Sequence, residues 1–93
     1  MELNFTKNSE TNYWESEFEV GSDFNLHIEG VPEGKVWVYQ RGTSSGQYAY
    51  AKSATPYPSL SNVYDFDLQA LVYPKFIKVV CAVEPTYAEV TFA

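Results

Sequence analysis

The sequence predicts an all-β chain folded as a single β-sandwich, immunoglobulin-like or jelly-roll-like, of about eight short and mostly antiparallel strands. Three observations carry this. Apolar and polar residues alternate with a period of two along most of the 93 residues, as half-buried strands do. Clusters of Gly, Pro, Asn, Asp and Ser recur about every 8–12 residues, the spacing of short strands joined by turns. No stretch keeps a helical period beyond a single turn, so no helix is predicted.

The elements follow in order. Leu3 and Phe5 alternate with Asn4 and Thr6, and a strand is expected over Leu3–Phe5. After the polar stretch Lys7–Asn12, residues Trp14, Ser16, Phe18 and Val20 alternate with Glu15, Glu17 and Glu19. Gly21-Ser22-Asp23 turns the chain, and Phe24, Leu26 and Ile28 then alternate with Asn25, His27 and Glu29. Each of these segments has one face for a core and one for water. Val31-Pro32-Glu33-Gly34 is a tight hairpin signal, because Pro32 presets φ for position i+1 of a type I turn and Gly34 accepts the left-handed conformation after it. Lys35–Arg41 is apolar on both faces, Gly42–Gly46 is a hairpin loop, and Gln47–Lys52 returns. Symmetric closure sets Trp37 against Ala51, Val38 against Tyr50 and Tyr39 against Ala49, while a slip of one residue exchanges the faces.

The second half continues the pattern. Ser53–Asn62, with Pro56-Tyr57-Pro58, is a long extended connection. Val63–Leu68 sends Tyr64, Phe66 and Leu68 to one side and Asp65 and Asp67 to the other. Gln69–Pro74 connects to Phe76–Val83, which is apolar on both faces except at Lys78 and so belongs in the middle of a sheet. Glu84-Pro85-Thr86 turns into the last strand, Tyr87–Phe92.

A chain of 93 residues and 10.6 kDa is one domain, residues 1–93, with a thin core. It is 45% apolar, with eight Tyr, six Phe and two Trp, far too much for a disordered chain. Six basic against twelve acidic residues give a net charge of −6. Nucleic acid and anionic membranes are therefore not the expected partners, since both call for clustered Lys and Arg. Eight of the acids lie in residues 1–34 beside a single base, Lys7. That asymmetry suits head-to-tail contacts between copies, and equally a solvated edge sheet. Met1-Glu2-Leu3-Asn4-Phe5 has neither the basic nor the apolar region of a signal peptide, and the run Phe76–Val83 is strand length. Synthesis in the cytoplasm is the expectation.

Little in the sequence points to catalysis. Cys81 is the single cysteine and reads as a small buried hydrophobe. As a nucleophile it would need a base, and the single candidate, His27, sits at an outward strand position. There is no Gly-x-Ser-x-Gly elbow and no glycine-rich phosphate cradle. Asp65 with Asp67, and Glu15 with Glu17 and Glu19, lie along extended strands and supply too few oxygens to wrap calcium. No Cys/His cluster suits zinc. No catalytic residue, no metal site and no cofactor is expected, and the chain is not expected to be an enzyme. The tyrosines exceed what a thin core buries. They fit core residues with hydroxyls reaching water, a protein–protein interface, or platforms for sugar rings.

Four segments carry a resemblance: Gly34-Lys35-Val36-Trp37-Val38-Tyr39-Gln40-Arg41, Val63-Tyr64-Asp65, Tyr73-Pro74-Lys75-Phe76-Ile77-Lys78-Val79 and Pro85-Thr86-Tyr87-Ala88-Glu89-Val90-Thr91. This pattern is similar to small all-β auxiliary or head-decoration proteins of tailed bacteriophages that infect gut Bacteroidales. The resemblance implies a non-enzymatic virion component, repeated on the shell and bound to the major capsid protein or another virion protein, with copies of itself as a further candidate partner. Val36–Arg41 also resembles the Trp-bearing strand of immunoglobulin-like domains, without the inter-sheet disulfide. The residues expected to bind the partner are Trp37, Tyr39, Arg41, Tyr48, Tyr50, Tyr57 and Lys75, with Arg41 and Lys75 pairing with acidic groups of a neighbour. The alternative is a carbohydrate-binding or other protein-binding β-sandwich module.

Overall fold

The period-two alternation resolves into two antiparallel sheets. The computed structural model describes residues 1–32, 34–42, 46–53, 63–68 and 75–92, with backbone alone for 50–53, 63–68 and 75. The strands are β1 (Thr6–Lys7), β2 (Trp14–Val20), β3 (Phe24–Glu29), β4 (Val36–Arg41), β5 (Ala49–Ser53), β6 (Val63–Leu68), β7 (Lys75–Cys81) and β8 (Tyr87–Phe92). The larger sheet runs β1-β2-β7-β4-β5 and the smaller β6-β3-β8. Every pairing is antiparallel, and no helix occurs among the described residues.

Both sheets feed one apolar cluster. β3 gives Phe24, Leu26 and Ile28, and β8 gives Ala88 and Val90. The larger sheet gives Val20, Val36, Val38, Ile77, Val79 and Cys81. Each fully buried Val, Leu or Ile contributes about 1.5–3 kcal/mol of transfer free energy. Strand β7 is central, between β2 and β4, as its apolar faces predict. It covers Lys75–Cys81 rather than Phe76–Val83, and Val83 beyond it is exposed.

The N-terminal segment departs from the expected strand at Leu3–Phe5. Met1–Leu3 lies along β8: the Leu3 N–H donates to the Ala88 carbonyl at 2.9 Å and the Val90 N–H to the Met1 carbonyl at 2.7 Å. The chain then crosses at Asn4 and Phe5 and pairs with β2 over Thr6–Lys7. Leu3 and Phe5 both reach the core. The alternation therefore reported their burial, while the segment is shared between two sheets.

Val31–Gly34 is not a hairpin. β3 and β4 lie in different sheets, so this turn carries the chain across the core. Val31 is fully buried at the crossing. The Lys35 N–H donates to the Pro32 carbonyl at 3.2 Å, which puts Pro32 at position i, one residue later than predicted. Gly34, with φ 75°, takes position i+2. Turning begins earlier, at Gly30, whose φ is 87° and where an added Cβ would sit 2.6 Å from Thr86 Oγ1. Only glycine tolerates both conditions.

Strands β4 and β5 do form a hairpin, but not the symmetric one. The partners are Trp37 with Ser53, Val38 with Lys52, Tyr39 with Tyr50 and Gln40 with Ala49, with an irregularity between Val38 and Tyr39. Ala51 is the extra residue on β5, a bulge that symmetric pairing does not anticipate. The connections expected at 54–62 and 69–74, and the loop tip 43–45, lie outside the described residues.

Candidate functional site: the outer face of the larger sheet

Residues of β2, β7 and β4 that turn away from the core form cross-strand rows: Glu15–Val80–Trp37, Glu17–Lys78–Tyr39 and Glu19–Phe76–Arg41. Each row starts with an acid on β2 and ends with an aromatic or a guanidinium on β4. The inward neighbours Val36 and Val38 are fully buried, which fixes Trp37 and Tyr39 on the outer face. Trp37 thus points away from the core, unlike the core tryptophan of immunoglobulin domains. A strand apolar on both sides leaves that choice open, and packing of the two valines decides it.

The loop between β1 and β2 brings in Tyr13. The Asn8 N–H donates to the Tyr13 carbonyl at 2.8 Å and the Asn12 N–H to the Asn8 carbonyl at 2.7 Å. Asn12 has φ 63°, a conformation that asparagine adopts more readily than most residues. So held, the Tyr13 ring stacks on Trp37, with centroids 5.5 Å apart and planes 22° from parallel.

Arg41 organises the other end. Its Nη1 donates to the Gly46 carbonyl at 3.0 Å, its Cζ lies 4.3 Å from the centre of the Tyr48 ring, and Phe76 lies on the same guanidinium at 5.7 Å. Its Nε is buried with no hydrogen-bond partner among the described residues. Such cation–aromatic contacts strengthen as water is excluded. The Tyr48 hydroxyl donates to Glu17 Oε2 at 3.0 Å, and Arg41 Nη2 lies 3.9 Å from the same oxygen. Burial first, and then the bond to Glu17, push the Tyr48 phenol above its ordinary value. Lys78 Nζ pairs with Glu15 Oε1 at 3.4 Å, and Asn8 Nδ2 donates to Glu15 Oε2 at 3.1 Å. A groove of about 330 Å³ crosses this face between Tyr13, Tyr39, Tyr48, Thr11, Glu15 and Lys78, with Val80 also in its lining.

Of the residues expected to bind a partner, Trp37, Tyr39, Arg41 and Tyr48 come together here. Tyr50 is registered opposite Tyr39 on β5, and Lys75 opposite Val20 at the start of β7. Tyr57 lies outside the described residues. Arg41 is engaged within the chain, where it positions Tyr48. The structure adds Tyr13, Lys78 and Glu17. The signal for Lys78 was present: a lysine interrupting the otherwise apolar run Phe76–Val83.

The groups considered for catalysis stand apart. Cys81 is fully buried on the inner face of the larger sheet, and burial pushes its thiol up to about 12. His27 is on the outer side of β3 in the smaller sheet, with Nε2 2.7 Å from Glu29 Oε2. The two therefore form no nucleophile–base pair. Among the described residues no group of three or more His, Cys, Asp or Glu is placed to hold a metal. Comparison with protein families, curated proteins and solved structures gives no match to this chain.

Proposed function

We propose that this chain is a non-enzymatic assembly protein, a bacteriophage head-decoration or other virion protein that docks on the capsid surface through the outer face of the larger sheet. The observation that carries the docking reading is the fixed aromatic array of Tyr13, Trp37, Tyr39 and Tyr48. Stacking holds Tyr13 on Trp37, and the Arg41 and Glu17 contacts hold Tyr48, before any partner arrives. Pre-placed aromatics and arginines are the usual anchors of protein interfaces, because little side-chain freedom remains to be lost on binding. The virion assignment rests on the resemblance of the four segments quoted above.

The finer fold reading is a β-sandwich of immunoglobulin-like pairing. β3 beside β6, and β4 beside β7, occupy the places of the B–E and C–F pairs of that fold. β2 takes the place of the last strand and β8 that of the first, which distinguishes the topology from the standard one. A shared core between the sheets supports the sandwich.

Trp37 fluorescence tests the function. In a Trp14→Phe variant Trp37 is the single tryptophan. Titration with capsid shells is expected to shift and saturate its emission, and an unchanged spectrum at full occupancy overturns docking through this face. A second reading, carbohydrate binding, is favoured by the groove, where ring faces stand beside the Glu15–Lys78 pair. Glycan titration of the same variant would show the shift instead.

A further inference from the structure

Among the described residues the larger sheet also ends in an open edge. β1 pairs with β2 only at Glu15 and Trp14, so among the described residues β2 has no strand neighbour on that side from Ser16 to Val20. Continuing the register of Thr6 with Glu15 and Lys7 with Trp14 would place Phe5, Asn4 and Leu3 opposite Ser16, Glu17 and Phe18. The chain does not take those places, because by Leu3 it has crossed to β8. A groove of about 460 Å³ lies at the corner it leaves, between Asn4, Thr6 and Lys7 on one wall and Glu15, Ser16 and Glu17 on the other. Phe18 faces inward and meets Phe24 edge-on at 5.9 Å, yet stays half-buried.

An open edge offers backbone N–H and C=O groups to any extended peptide, so side chains must select the occupant. On the outer side of the open stretch stand Glu17 and Glu19, both exposed. A second copy of β2 would bring glutamate against glutamate, and like charges directly opposed are destabilising. A segment with Lys or Arg at alternate positions reverses the sign of both contacts. Glu17 already accepts the Tyr48 hydroxyl and has Arg41 nearby, which leaves Glu19 as the main anchor. Lys7 repels a base at the β1 end of the groove, so the basic positions fall beyond it. The net charge of −6 draws such a segment in.

We propose that β2, from Ser16 to Val20, accepts an extended segment of a partner protein by strand addition, with Lys or Arg opposite Glu17 and Glu19 and apolar side chains opposite Phe18 and Val20. The edge shares Glu17 and Glu19 with the outer-face rows but not the Tyr13–Trp37 stack, so substitutions at those two rings test the two surfaces apart.

The probe is a capped synthetic peptide of alternating Lys and Val, titrated into ¹⁵N-labelled protein. Amide shifts are expected over Ser16–Val20 and Thr6–Lys7. Binding should weaken about tenfold in Glu19→Lys, and also as salt rises. Of two peptides N-methylated at alternate residues, the one blocked on its pairing side should lose binding, since the affinity comes from main-chain hydrogen bonds. Tyr13→Ala with Trp37→Ala should leave peptide binding unchanged. No shifts at millimolar peptide, shifts centred elsewhere, equal binding by Glu19→Lys, or equal binding of both methylated peptides would each overturn the proposal.

Discussion

Strands β3 and β4 follow one another in the chain and bury alternate residues in the same core, yet they differ in what they turn outward. β3 shows Asn25, His27 and Glu29, whereas β4 shows Trp37, Tyr39 and Arg41. On the β3 side the contacts are a short polar chain. His27 meets Glu29 at 2.7 Å and the Tyr87 ring at 6.1 Å, and the Tyr87 hydroxyl donates to Glu89 at 2.6 Å. That bond raises the Tyr87 phenol and lowers the Glu89 carboxyl. On the β4 side aromatic rings are stacked and pinned by cations. Folding alone asks nothing apolar of an outward position, and the docking proposal rests on this difference.

The comparison breaks first at the inner faces, which should be equivalent. Leu26→Ala on β3 is expected to cost about 2–5 kcal/mol by urea unfolding. A loss well below that range would remove β3 from the shared core. Gly30→Ala, at the crossing between the two strands, combines a left-handed φ with a clash against Thr86. It should cost about 1–3 kcal/mol, and unchanged stability would mean that the crossing is built differently. The outer faces should separate next. Trp37→Ala loses the Tyr13 stack and about 0.5–1.5 kcal/mol, while Asn25→Ala stays within about 0.5 kcal/mol. Equal effects would mean that the two outer faces do not differ.

The smallest effect at neutral pH belongs to Cys81. The unfolded thiol ionises near 9.0 while the folded one keeps its proton to about 12. The folded state then binds more protons than the unfolded one across that interval, so this contribution is fully present below pH 9 and is lost as pH rises toward 12. In the native protein at pH 8, thiol reagents should modify Cys81 only as fast as the chain unfolds. Rapid modification would place the thiol at the surface.

Much of the fold was legible because alternation reports burial directly. Phe24, Leu26 and Ile28 read correctly as the inner side of a strand, and the apolar run around Lys78 as a central one. The path between sheets was not legible, because a Pro–Gly turn has the same chemistry whether it closes a hairpin or crosses a core. Only Val31 becoming buried separates the two. The β4–β5 register was hidden by the bulge at Ala51, which leaves no mark in the side-chain pattern. In the candidate site, Trp37, Tyr39, Arg41 and Tyr48 were visible as an aromatic and basic cluster. The direction of Trp37 was not, since Val36 and Val38 are as apolar as Trp37 itself. Tyr13 joins through the Asn8–Asn12 loop, a long-range stack that local sequence does not encode.

Docking through the β4 face is decided by co-sedimentation with assembled capsid shells, using the wild type, the pair Trp37→Ala with Tyr39→Ala on β4, and the pair Asn25→Ala with His27→Ala on β3. The β4 pair is expected to stay in the supernatant, folded by circular dichroism, while the β3 pair pellets like the wild type. Equal pelleting of both pairs, or loss of the β3 pair alone, would contradict it.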